Sequence, residues 1–195
     1  ISGNFNSASR AMNIKGKFSK LTYGNFITPA IQLAANSNSS TFNFNVKADS
    51  LFKKDSLFLT PILLAGHYKD NNLRFNVKVN NESNPTRLNL MADLKGIEKG
   101  FQFHATSSQI VTNNKSWSIN PKHEIIFKEG ILKVNDFIVS HKSELVKMQT
   151  EVNDKKETDL FLTIAKVNLN DITSSLIKGN LKFYGLINGN VEVKN

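Results

Sequence analysis

Apolar and polar residues alternate along most of this chain, cleanly at Phe42-Asn43-Phe44-Asn45-Val46-Lys47 and at Leu73-Arg74-Phe75-Asn76-Val77-Lys78-Val79-Asn80. The pattern returns at Leu88-Asn89-Leu90, Phe101-Gln102-Phe103-His104 and Val191-Glu192-Val193-Lys194. A period of two sends each set of side chains to one face of a pleated strand. The chain therefore predicts sheet with one greasy and one wet face. Strand-like runs fall at 11–18, 21–27, 41–48, 56–64, 73–79, 86–94, 101–111, 116–119, 123–127, 131–140, 144–152, 158–169 and 181–193, the spacing of an all-β array. Between them stand turn signals: Lys69-Asp70-Asn71-Asn72, Asn80 to Pro85, the tight Lys128-Glu129-Gly130, the charged stretch Asn153 to Asp159, and the short-turn pair Asn188-Gly189. Helix signals are confined to Asp49–Lys54, room for one turn, and to Asp171–Gly179, where an N-cap Asp and a terminal Gly suit two turns.

No shift in composition marks a domain boundary within the 195 residues, and Asn36-Ser37-Asn38-Ser39-Ser40 has the length of an ordinary loop. Because the chain starts and stops inside strand-like runs, residues 1–195 read as a single segment of a longer repetitive protein. The hydrophobic share of 39% lies below the usual range of about 45–50%, but the alternation argues against disorder. The longest greasy stretch, Leu57 to Ala65, is interrupted by Pro61 and falls well short of the roughly 20 residues that cross a bilayer, so any anchor must lie outside the segment. With no cysteine, disulfides and thiolate sites are excluded and the redox compartment stays open.

The net charge of +9 raises the question of nucleic acid or an anionic membrane. The lysines, however, are scattered at outward strand positions (Lys47, Lys78, Lys182, Lys194), where they solvate the wet face and discourage edge-to-edge pairing. No nucleic-acid partner is expected. His67, His104, His123 and His141 have no ligand spacing and read as isolated outward-facing side chains on strands. Asp154, Glu157 and Asp159 sit beside Lys155 and Lys156 and read as a solvated hairpin tip rather than as acid and base. With no phosphate loop and no nucleophile elbow, the chain offers no catalytic, metal or cofactor residue, and it is not expected to be an enzyme.

The aromatic set consists of 14 Phe, 3 Tyr and 1 Trp. Interfaces and sugar sites favour Tyr and Trp for their polar tips. Phenylalanine on a face without charge suits either a closed core or hydrocarbon.

From Trp117 onward the order of motifs resembles the C-terminal region of the TamB (translocation and assembly module) family, within the AsmA-like group. The carriers are Ser116-Trp117-Ser118-Ile119-Asn120-Pro121, Ile125-Ile126-Phe127, Gly130-Ile131 and Val134-Asn135-Asp136-Phe137-Ile138-Val139. Further on come Leu160-Phe161-Leu162, Val167 to Ile172, Leu181, and Gly185-Leu186-Ile187-Asn188-Gly189-Asn190-Val191. The resemblance covers 116–195; residues 1–115 share only the texture. The chain departs from the family at His141-Lys142-Ser143-Glu144 and Gln149-Thr150-Glu151. The Asn- and Lys-rich composition resembles Bacteroidetes versions.

The resemblance implies a β-taco, an elongated curved antiparallel sheet forming a U-shaped trough, in a periplasmic protein held in the inner membrane by a part outside this segment. It implies phospholipid carried along an apolar groove between inner and outer membranes, support of outer-membrane protein assembly, and an Omp85-type (TamA-like) barrel as partner. The expected groove lining is Phe42, Phe44, Val46, Leu73, Phe75, Val77, Leu88, Leu90, Phe101, Phe103, Val134, Phe137, Leu160, Leu162 and Ile164. The alternative is a surface or periplasmic β-solenoid or sandwich with a scaffolding or adhesion role and a closed core.

Overall fold

The computed structural model describes residues 1–53, 56–59, 61–81, 84–112, 115–153, 158–170 and 184–194. The described residues are nearly all strand, and every pairing among them is antiparallel. The chain is all-β, as its alternation requires. Contacts divide it into two compact units, Ile1–Lys95 and Gly96–Asn195.

The first unit contains β1 (Ser2–Asn6), β2 (Ala11–Tyr23), β3 (Phe26–Ser37), β4 (Thr41–Ala48), β5 (Leu51–Lys53), β6 (Ser56–Leu59), β7 (Ile62–Lys69), β8 (Asn72–Asn81) and most of β9 (Asn84–Ile97). Neighbours pair in the order β1-β2-β3-β4-β7-β8-β9. The turns follow local chemistry. Asp70 and Asn71 both take positive φ (50° and 59°), the conformation of a two-residue type I′ hairpin. Asn38 holds the β3–β4 turn through its Oδ1, which accepts the backbone N–H groups of Ser40 (3.0 Å) and Thr41 (2.9 Å). Asn36 and Ser37, expected in the loop, belong to the β3 ladder instead.

Of the single helical turn expected at Asp49–Lys54, the described residues 49–53 form none, and Lys54 lies outside the described residues. β5 takes its place and continues the line of β4 against β3 in an unbroken register, with Ile31 opposite Ala48 and Ile27 opposite Phe52. The exposed β3 ladder offers more backbone hydrogen bonds than one isolated helical turn could close. The expected strand 56–64 is divided at Pro61, which has no N–H to give to the ladder; its carbonyl still accepts the Asn80 N–H at 3.1 Å.

The second unit contains β10 (Gly100–Thr112), β11 (Lys115–Ile119), β12 (Glu124–Lys128), β13 (Ile131–Asn135), β14 (Phe137–His141), β15 (Glu144–Val152), β16 (Thr158–Asn168) and β17 (Leu186–Val193). β11 and β12 pair with opposite ends of β10, β14 and β13 pair with them in turn, and β14, β15, β16 and β17 follow side by side. The expected run 131–140 is split at Asp136, whose φ of 48° kinks the chain between β13 and β14. The expected two-turn helix at Asp171–Gly179 lies outside the described residues, as does Lys182.

Asn188-Gly189 is not a turn but the middle of β17. The register of β16 against β17 slips between Ile164 and Val167, Lys166 takes a φ of 55°, and the Asn188 Oδ1 accepts the Lys166 N–H at 2.9 Å. The asparagine thus satisfies a donor that the bulge removes from the ladder. Asp159 is likewise no part of a solvated tip: it is buried in β16 and accepts from Asn153 Nδ2 at 3.2 and 3.1 Å. Asp154 and Glu157 lie outside the described residues.

His123 departs furthest from expectation. It sits before β12, 1% exposed, and is the largest fully buried side chain described. Its Nε2 accepts the Ala105 N–H at 2.9 Å, so that nitrogen carries no proton and Nδ1–H donates to the Asn120 carbonyl at 2.5 Å. The His104 ring stacks on it at 4.8 Å, and Phe137 meets it edge-on at 5.4 Å. A histidine rather than an apolar residue is required because β10 leaves the Ala105 N–H pointing into the interior. His123→Phe keeps the ring volume but orphans that donor, and is expected to cost about 1–3 kcal/mol in urea unfolding. A cost no greater than that of an exposed substitution would show that the donor finds another partner.

Candidate functional site: an apolar face in each unit

Residues directly opposite in an antiparallel pair point to the same side, so the registers of the first unit can be read across strands. Met12, Ser37, Phe42, Tyr68, Leu73 and Leu94 form one row from β2 to β9. Ile14, Ala35, Phe44, Gly66, Phe75 and Ala92 form the next, and Gly16, Leu33, Val46, Leu64, Val77 and Leu90 the third. Phe18, Ile31, Ala48, Ile62, Val79 and Leu88 close the set. Polar atoms enter these rows only at Ser37 and at the Tyr68 hydroxyl, which donates to Asn71 Oδ1 at 3.4 Å. Phe42, Phe44, Val46, Leu73, Phe75, Val77, Leu88 and Leu90 therefore share one continuous face. Gly66 makes room within it: a Cβ there would stand 2.4 Å from the Phe44 ring.

In the second unit Phe101, Phe127 and Leu132 share a row, as do Phe103, Ile125 and Val134. Phe137, Met148, Leu162 and Val191 form another, followed by Val139, Val146, Ile164 and Gly189. Leu160 joins through Thr150, its partner across β15, whose hydroxyl accepts the Val134 N–H at 2.9 Å. The His123 ring lies between Phe103 (6.4 Å) and Phe137 (5.4 Å) and ties their rows to one side. Thus Phe101, Phe103, Val134, Phe137, Leu160, Leu162 and Ile164 also share a face.

The face ends in a polar corner, where the Trp117 ring lies 5.9 Å from the His141 ring, His141 stands opposite Glu144, and Lys115 pairs with Glu144. Among the described residues the buried Trp117 indole N–H and Glu144 Oε2 have no hydrogen-bond partner.

Burial separates the two sides. Phe42, Phe44, Val46, Leu73, Phe75, Val77, Leu88 and Leu90 are all half-buried, Phe18 and Tyr68 are exposed, and the buried hydrophobics of the first unit are small: Ala35, Ala48, Val79 and Ala92. The strands of this unit form one layer, so no second layer within it seals the face. In the second unit Val134 is fully buried while Phe101 is 41% exposed, its ring stacked on Phe127 at 5.4 Å.

The opposite face of the first unit is hydrophilic and tied laterally. Asn43 donates to Asn36 (3.0 Å), His67 Nδ1 meets Asn43 Oδ1 (2.6 Å), and Arg74 pairs with Asp93 (2.8 Å). The hydrogen bond to Asp93 and that residue's charge hold the Arg74 guanidinium above its ordinary pKa. In the second unit Gln102, on the side of β10 opposite to Phe103, donates to Glu124 at 2.6 Å.

Sequence reading missed Ile14, Leu33, Leu64, Val139, Val146 and Met148, which belong to the same faces. Small residues blur the alternation in β3, and β7 opens with Ile62-Leu63-Leu64-Ala65, apolar on both sides. Only the register shows which side each takes. Among the described residues no cluster of three or more His, Asp or Glu could hold a metal ion, and no helix is long and apolar enough to cross a membrane. No family model, curated protein or solved structure matches the chain.

Proposed function

We propose that the apolar faces are beds for phospholipid acyl chains, and that the chain is a section of a periplasmic lipid-carrying trough of the TamB kind. The observation that carries this reading is the half-burial of a continuous Phe-, Leu- and Val-rich face across β2, β3, β4, β7, β8 and β9. Apolar surface left in contact with water in a single layer gains from being covered, at about 0.8 kcal/mol per buried CH₂. A surface almost without polar groups has nothing to hold a chain in register, so hydrocarbon can slide along it. Delivery to an outer-membrane Omp85-type barrel, an inner-membrane anchor outside the segment and support of outer-membrane protein assembly belong to the same proposal, on the resemblance of residues 116–195.

Native mass spectrometry of the chain expressed in a Gram-negative periplasm is expected to find co-purified phospholipid. A lipid-free protein that gains no phospholipid from vesicles would favour the scaffolding reading instead.

A further inference from the structure

We propose that the hydrophilic face of β1–β4, on the other side of the sheet from the apolar bed, is a binding site for a phosphate-bearing anion. Two adjoining concavities lie there, of about 630 Å³ and 380 Å³, and they share Ser2 and Lys15. The larger has the size of a small-molecule site. The registers place its side chains in two rows. Lys15, Ala34 and Asn45 lie side by side in one, and Lys17, Gln32, Lys47 and Leu63 in the other. Gly16 and Leu33, whose side chains belong to the apolar face, contribute backbone to the floor between them.

The charge of this lining is one-sided. It carries Lys15, Lys17 and Lys47, and no carboxylate among the described residues lines either concavity. Lys47 meets Asp49 at 3.2 Å, both about half exposed. Lys15 and Lys17 make no ion pair among the described residues. Elsewhere on the face the Arg74 charge is already met by Asp93, so unneutralised positive charge gathers where the surface is hollow.

Strand geometry sets what these charges can hold. The Cα atoms of Lys15 and Lys17 are about 6.7 Å apart, and Lys17 and Lys47 stand two strands apart, about 9.6 Å. Flexible lysine side chains can converge across such distances on one anion. Lysine acts as a point charge that suits phosphate, and two or three ammonium groups match a dianion better than a monovalent carboxylate. The Gln32 and Asn45 amides add donors for the remaining oxygens. Ala34 and Leu63 make part of the floor apolar, which strengthens charge interactions above it by excluding water. Single-stranded nucleic acid would need aromatic platforms beside the lysines, and the neighbouring Phe18, Phe42 and Phe44 lie on the other side.

The phosphate could belong to a soluble molecule or to a lipid headgroup, and the test separates them. The whole chain is titrated with pyrophosphate at about 0.15 M salt, and its recruitment to phosphatidylcholine vesicles is measured with and without phosphatidic acid. The triple variant Lys15→Gln/Lys17→Gln/Lys47→Gln is compared with a charge-matched one, Lys122→Gln/Lys142→Gln/Lys166→Gln, on the second unit. Thermal unfolding by circular dichroism is expected to be the same for both, since all six positions are exposed. Pyrophosphate affinity is expected to fall about tenfold or more in the first variant and less than about twofold in the second. Vesicle recruitment by phosphatidic acid that is lost in the first variant alone assigns the phosphate to a headgroup; pyrophosphate binding without recruitment assigns it to a soluble molecule. Equal losses in both variants, or no response to either probe, would overturn the site.

Discussion

Trp117→Ala is expected to lower the unfolding free energy of the second unit by about 3–5 kcal/mol, the largest effect of any single substitution considered. Trp117 is 6% exposed, faces Ile110 across β10–β11, and leans on the His141 ring at 5.9 Å. Removing the indole leaves a cavity that the hydrogen-bonded ladders of β10 and β14 on either side hold open. Trp117→Phe separates packing from hydrogen bonding. The indole N–H has no partner among the described residues, so phenylalanine gives up no hydrogen bond there and also removes a buried orphan donor. Its expected cost is about 1 kcal/mol or less. Urea unfolding followed by far-ultraviolet circular dichroism reads both, since the chain has no other tryptophan. If phenylalanine costs as much as alanine, the indole nitrogen has a bonded role that its surroundings do not reveal.

Val77→Asp is expected to cut co-purified phospholipid about tenfold or more while the protein remains folded. Val77 stands between Leu64 and Leu90 in the middle of the apolar face. Because it is half-buried, a carboxylate there stays hydrated in the empty protein, so the fold tolerates it. An acyl chain laid over it would have to strip that water, at roughly 1–3 kcal/mol even for a neutral polar group and more for a charge. Lys78→Glu, one residue along and on the other face, carries a larger change of charge and is expected to leave lipid content unchanged. Equal effects of the two would mean that lipid association follows net charge rather than the apolar bed.

How far the sequence could be read depended on whether an element's fate was set locally. The β4 and β8 alternation fixed both strand type and face, and Asp70-Asn71 fixed its own turn, because period and turn chemistry act within a few residues. Asp49–Lys54 failed because its helix signal is one turn long and a neighbouring strand outbid it with a ladder. Asn188-Gly189 failed because the same pair that suits a hairpin also suits a bulge, and only the slip in β16 decides between them. His123 was illegible for a different reason: its partner, the Ala105 N–H, is a backbone group that no side-chain pattern announces. The apolar face was legible wherever one strand alternated cleanly. Ile14, Leu33 and Leu64 entered it only through cross-strand register, which is a property of pairs of strands. The lysines show the same limit. Scattered in sequence, Lys15, Lys17 and Lys47 meet over one hollow because β3 sets β2 and β4 side by side.

The most direct test of the central claim places a photoactivatable amino acid at Phe103 and, separately, at Gln102. These neighbours in β10 face opposite ways: Phe103 lies in a row with Ile125 and Val134 and beside the His123 ring, while Gln102 donates to Glu124 on the hydrophilic side. Irradiation in a Gram-negative periplasm, followed by mass spectrometry of the protein, is expected to give a phospholipid adduct at Phe103 and none at Gln102. Equal labelling at both positions, or none at either, would contradict the account.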